Sequence, residues 1–143
     1  MRIIQKLALL ITLVFSTQAI AQSQKSVSKK LAGKWSWVET SGGFDGSISN
    51  PKTESYTIQV EFTKKGVFKS YKDCVFNLQM KYKIAYTKSI YSSEPANVIQ
   101  YIGSNGVNNG MMNESVEFKG KDTLILKQEC HDCYTRIFVR SKK

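Results

Sequence analysis

From Tyr56 to Phe62 the chain alternates apolar and polar residues without a break: Tyr56-Thr57-Ile58-Gln59-Val60-Glu61-Phe62. A longer run does the same from Phe76 to Tyr86, with Ala85 the one apolar residue on the polar side. Successive strand side chains point to opposite faces, so this pattern predicts half-buried strands with one face on a core and one in water. Six further segments fit the same scheme. Lys34 to Glu39 places Trp35 and Trp37 on one face. Val67 to Tyr71 follows a turn at Lys64-Lys65-Gly66, and Val98 to Ile102 is short and β-branched. Glu114 to Phe118 and Thr123 to Lys127 are joined by a turn at Lys119-Gly120-Lys121-Asp122, and Tyr134 to Val139 closes the chain. Most connections have hairpin length. No amphipathic helix is predicted; Ser28 to Leu31 has room for one turn at most. Two Gly/Asn-rich loops, Ser41 to Pro51 and Gly103 to Gly110, are the longest connections.

The predicted fold class is therefore all-β. About eight consecutive antiparallel strands can close into an up-and-down barrel, which leaves no exposed edge. A two-sheet β-sandwich is the alternative with the same periodicity.

The first 21 residues stand apart from this pattern. Arg2 and Lys6 flank a basic start, Leu7 to Phe15 is apolar, and Ala19-Ile20-Ala21 is a small-x-small site. This order predicts a cleavable signal peptide, residues 1–21, and a secreted or periplasmic product. The apolar stretch is about half the ~20 residues that a membrane span requires. Residues 22–30 are Gln/Ser/Lys-rich and predict a flexible polar segment, leaving residues 31–143 as one domain.

Export changes the charge picture. The whole chain carries 21 basic and 11 acidic residues, a net charge of +10. Removing Arg2 and Lys6 leaves 19 against 11, or +8. Setting aside Lys25, Lys29, Lys30, Lys142 and Lys143 leaves 14 against 11, so the body is only mildly basic. Nucleic-acid binders gather Lys/Arg with interleaved aromatics on one face, so no nucleic-acid partner is expected. Solvated tails are the simpler account, with room for weak attraction to an acidic envelope surface.

Leu31-Ala32-Gly33-Lys34-Trp35 sets a Gly-x-Trp directly before the first strand, and the last strand carries Arg136 and Arg140. With the eight-strand meander between them, these features resemble the lipocalin-like (calycin) family, over about residues 31–140. It is most similar to small secreted bacterial members with a Cys-containing last hairpin. The resemblance implies a structural role for Gly33 and Trp35. Trp35 would sit at the closed end of a barrel, with Arg136 or Arg140 lying across its ring. A guanidinium over an indole contributes about 0.5–2 kcal/mol. The family's middle motif and C-terminal helix have no counterpart here.

Cys130-His131-Asp132-Cys133 has redox-motif spacing, but it lies between two strands and not at a helix N-terminus, where thiolate chemistry is favoured. A closed zinc site needs four ligands, and no second Cys or His pair is present. No metal or cofactor is expected. In an oxidising compartment the expected role is a structural disulfide between Cys130 and Cys133; a bridge involving Cys74 is the alternative. The leftover thiol is expected to be buried. His131 is the single histidine. A general base needs a positioned partner, and none is evident, so a non-enzymatic protein is expected. Glu114, Glu117, Asp122 and Glu129 read as ordinary strand and turn charges. The Gly-rich loops do not read as phosphate cradles, because neither leads into a helix.

Period two turns Trp37, Tyr56, Phe62, Phe76, Met80, Tyr82, Tyr86 and Tyr101 inward. They either line a pocket for a small apolar or amphipathic ligand or fill the barrel, since eight strands leave an interior that side chains can fill. In the second case a protein partner would be met through the Gly/Asn-rich loops.

Overall fold

In a computed structural model the described residues are 24–103 and 110–142. The expected signal peptide lies outside them, as does most of the Gly103–Gly110 loop. A helix over residues 24–31 (α1) leads into β1 (Gly33–Gly42). Then follow β2 (Ser47–Ser49), a short α2 (Pro51–Glu54), β3 (Ile58–Phe62), β4 (Val67–Lys72) and β5 (Val75–Ser89). The chain ends with β6 (Ser92–Ile102), β7 (Glu114–Lys119), β8 (Thr123–Gln128) and β9 (Tyr134–Arg140). All pairings are antiparallel between neighbours, and β1 also pairs with β9. The result is a closed eight-stranded up-and-down barrel, with β2 attached to the outer end of β1 as a short hairpin. This is the barrel that the alternation predicts, and the sandwich is set aside.

Closure depends on β1 serving two neighbours. Its first part pairs with β3, from Gly33↔Phe62 to Ser36↔Gln59, while on its other side it pairs with β9 from Trp35↔Arg140 to Gly42↔Tyr134. A bulge at Val38 bends β1 between these duties. Gly42 meets the backbone of Cys133 and Tyr134 so closely that no Cβ fits there, at a φ of 120°.

One end of the barrel is closed by α1. Leu31 and Trp35 are buried there, and Trp35 Nε1 donates to the Leu31 carbonyl at 2.8 Å. The Arg140 guanidinium lies 4.1 Å from the Trp35 ring and donates to the carbonyls of Lys30 at 2.8 Å and Ala32 at 3.3 Å. It thus supplies donors to carbonyls at the end of α1, which lack partners further along the helix. Above this floor the core is aromatic. Phe62 packs on Phe68 and, edge-on, on Tyr82, and Phe68 packs edge-on against Tyr101. Met80, Ile99, Leu124, Leu126 and Phe138 complete the layer.

Several expectations are corrected. Residues 24–31 are helical where at most one turn, over Ser28 to Leu31, was expected; Leu31 at the end of the helix is buried in the floor. The loop from Ser41 to Pro51 contains β2 and runs into α2, which Asn50 caps by accepting from the Lys52 and Thr53 amides. Phe76 is 57% exposed and points outward. Between Ser70↔Leu78 and Tyr71↔Phe76 the register slips by one residue, which turns Phe76 to the outer face beside Tyr71. Tyr86 is 39% exposed because β4 stops at Val67↔Lys81, and β5 leaves the wall with β6 alone. The far end of that β5–β6 hairpin returns to the β8–β9 turn. There Ser89 Oγ and the Ile90 amide donate to Glu129, and Tyr91 donates to the Gln128 carbonyl. Cys74 is exposed: Asp73 and Cys74, both at positive φ, are the two central residues of the β4–β5 hairpin turn, which holds that side chain out of the core.

Arg140→Ala removes the cation over Trp35 and two carbonyl contacts at the end of α1. Urea unfolding is expected to show a loss of about 2 kcal/mol, with Arg140→Lys recovering only a minor part because lysine lacks the planar fork.

Candidate functional site

Inward positions on β6, β7 and β9 bring three polar side chains together inside the barrel. Glu114 opens β7 opposite Ile99 and is fully buried. Its carboxylate accepts from Arg136 Nε at 3.0 Å and also from Arg136 Nη2. Its other oxygen accepts from the Tyr101 hydroxyl at 2.7 Å. Glu114 thus has both oxygens engaged. The Arg136 side chain keeps 21% of its surface, and among the described residues its Nη1 has no hydrogen-bond partner. The Tyr101 ring belongs to the aromatic layer, so this residue joins the apolar floor to the polar cluster.

The electrostatics follow from this packing. Burial holds the Tyr101 hydroxyl well above its ordinary range, and the adjacent Glu114 carboxylate adds to the shift. Arg136 is pushed up by the Glu114 charge despite its own desolvation. An ion pair out of water is rarely a gain over apolar packing of the same volume, whereas removing one partner typically costs about 3–5 kcal/mol. Glu114 is therefore no ordinary strand charge. No residue pattern marked it: its inward position follows period two, but an inward carboxylate becomes intelligible only beside Arg136, 22 residues later.

Toward the open end, Trp37 stacks on Tyr56 with centroids 5.7 Å apart, and Trp37 Nε1 donates to Thr40 Oγ1. Lys72 Nζ lies over the Tyr56 ring, 4.0 Å from its centroid. Ile58, Leu78 and Met111 are partly buried against the core. The rim carries Cys130 and Cys133, joined as a disulfide, with the Met112 thioether against it. Tyr134 packs on Gly43 beside it. Phe44 is 97% exposed, and Ile48, Val75 and Met112 are also exposed.

Of the eight inward candidates, Trp37, Phe62, Met80, Tyr82 and Tyr101 are buried, and Tyr56 is packed against them. They do not form one pocket lining: Phe62, Met80, Tyr82 and Tyr101 fill the closed half, while Trp37 and Tyr56 stand toward the mouth. Gly33, two residues before Trp35, has a φ of 133°, and a Cβ there would press on the Arg140 guanidinium. Arg140, not Arg136, lies across Trp35. His131 is exposed in the disulfide turn. Among the described residues no group of three or more His, Cys, Asp or Glu could hold a metal ion, and no helix is long and apolar enough to cross a membrane. A scan against protein-family models finds no match, and neither curated proteins nor solved structures yield one.

Two outcomes test the cluster. Glu114→Ala is expected to destabilise the fold by about 3–5 kcal/mol, and adding Arg136→Met should restore part of that loss, a coupling readable by a double-mutant cycle in urea. The raised Tyr101 hydroxyl gives the second. Above pH 10 the unfolded chain loses this proton while the folded chain keeps it, so stability falls as pH rises. Tyr101→Phe should remove that component of the alkaline loss in denaturation curves measured from pH 8 to 11.

Proposed function

We propose that this chain is an exported, non-enzymatic binding protein that holds a small amphipathic molecule in the open half of its barrel. The observation that carries the reading is the Arg136 guanidinium, paired with Glu114 inside the barrel yet retaining free surface. Small-molecule sites are typically apolar walls with a few placed polar groups. Trp37, Tyr56, Ile58 and Leu78 supply the walls, and Arg136 with Tyr101 supplies the polar end. Because Glu114 already neutralises Arg136, the site favours a polar, uncharged head such as a hydroxyl or ester over a free anion. The filled floor restricts the ligand to the upper half. The disulfide at the rim supports an oxidising compartment. A partner protein at the rim is the second reading, and the full exposure of Phe44 favours it.

Native mass spectrometry of the protein purified from its producing host should show a co-purified amphiphile. Adding a monoacylglycerol at about 100 times its Kd should stabilise the fold by about 2.7 kcal/mol and alter tryptophan fluorescence. The fatty acid of the same chain length should bind more weakly, and Glu114→Gln, which leaves the Arg136 charge uncompensated, should reverse that preference. Absence of any bound amphiphile, with neither probe changing the melting temperature, would sink the proposal.

A further inference from the structure

The barrel is electrically polarised along its axis. The segments at its closed end are α1 with the start of β1 (24–34), the β3–β4 turn (63–66), the β7–β8 turn (119–122) and the end of the chain (140–142). They carry Lys25, Lys29, Lys30, Lys34, Lys64, Lys65, Lys119, Lys121 and Lys142, with Arg140, against the single acid Asp122. All nine lysines are exposed. Arg140 is committed to Trp35 and α1, and it approaches Asp122 at 3.7 Å. Lys30 lies over Phe118. The open-end segments, 42–57, 72–75, 110–113 and 128–134, carry Lys52 and Lys72 against Asp45, Glu54, Asp73, Glu129 and Asp132. Lysines spread over four separate parts of the chain therefore converge on one pole. A surface depression of about 860 Å³ lies there, lined by Lys34, Lys64 and Lys142.

We infer that the closed end of the barrel is a docking face for a bilayer surface bearing anionic phosphate headgroups. A pole of this composition meets a negative plane with all its lysines at once, within the ~8 Å screening length of physiological salt. Each lysine near an anionic leaflet contributes favourably, and the contributions accumulate. A nucleic acid is the competing polyanion, but its single strands require stacking aromatics among the cations. Among the described residues of these segments no aromatic side chain is exposed; Phe44 and Phe76 belong to the opposite half. Docking by the floor turns the acidic, apolar-rimmed mouth away from the membrane. The inference stands independently of what the barrel holds.

The test is co-sedimentation with phosphatidylglycerol-containing vesicles, compared with pure phosphatidylcholine vesicles and a single-stranded oligonucleotide. It uses the protein from its producing host, with its N-terminus defined by mass. Binding is expected to phosphatidylglycerol and not to phosphatidylcholine, and to weaken steeply from 20 to 300 mM NaCl, a range of about 21 to 6 Å in screening length. Lys64→Glu/Lys65→Glu/Lys121→Glu should lower affinity by about tenfold or more. Lys52→Glu/Lys72→Glu/Lys88→Glu, with the same charge change away from this pole, should not. If the reversed variant fails to fold, the Gln versions at the same three positions carry the comparison. Three results overturn the inference: equal binding to both vesicle types, equal loss in both variant sets, or tighter retention on the oligonucleotide than on phosphatidylglycerol.

Discussion

The closure of β1 onto β9 is the constraint on which the rest of the structure depends. It joins the first and last strands of the wall into a ring, and it brings the two ends of the domain together. Arg140, near the end of the chain, can then lie over Trp35 and hold the carbonyls at the end of α1. Trp35, Leu31 and Arg140 together form the floor, and the aromatic layer of Phe62, Phe68, Tyr82 and Tyr101 rests above it. Weakening the closure would open the floor and the wall together.

The same closure creates the unusual interior. β6, β7 and β9 turn Tyr101, Glu114 and Arg136 inward, and these three side chains meet. Burying two charges is unfavourable unless their hydrogen bonds are satisfied. Glu114 achieves this with three donors, while Arg136 does not exhaust its own. A cluster of this kind adds little to stability over apolar packing.

Charge follows a second logic. The lysines of the tails and of two turns looked dispersed along the chain, because sequence distance hides the fact that antiparallel turns alternate between two ends. Here the β3–β4 and β7–β8 turns fall at the same pole, while the tip of the long β5–β6 hairpin is held at the β8–β9 turn. The β3–β4 and β7–β8 turns therefore join α1 and the chain end, and the mild basicity of the body becomes a concentrated face.

The eight antiparallel strands and the Cys130–Cys133 bridge were legible in the sequence because period two and short spacing are local properties, whereas the β1–β9 pairing decided for a barrel over a sandwich. The pairing of Trp35 with a late arginine was legible only as a choice between Arg136 and Arg140. Tertiary structure decided what depends on register. One slipped residue near Asn77 turned Phe76 outward, and the end of β4 released Tyr86 from the wall. The hairpin turn exposed Cys74, and Leu31, buried in the floor, ends a helix over residues 24–31. Glu114 looked like any strand carboxylate until β9 brought Arg136 to it. Alternation along one strand records which face a side chain takes, whereas the partners it meets there are set by strands far away in the chain.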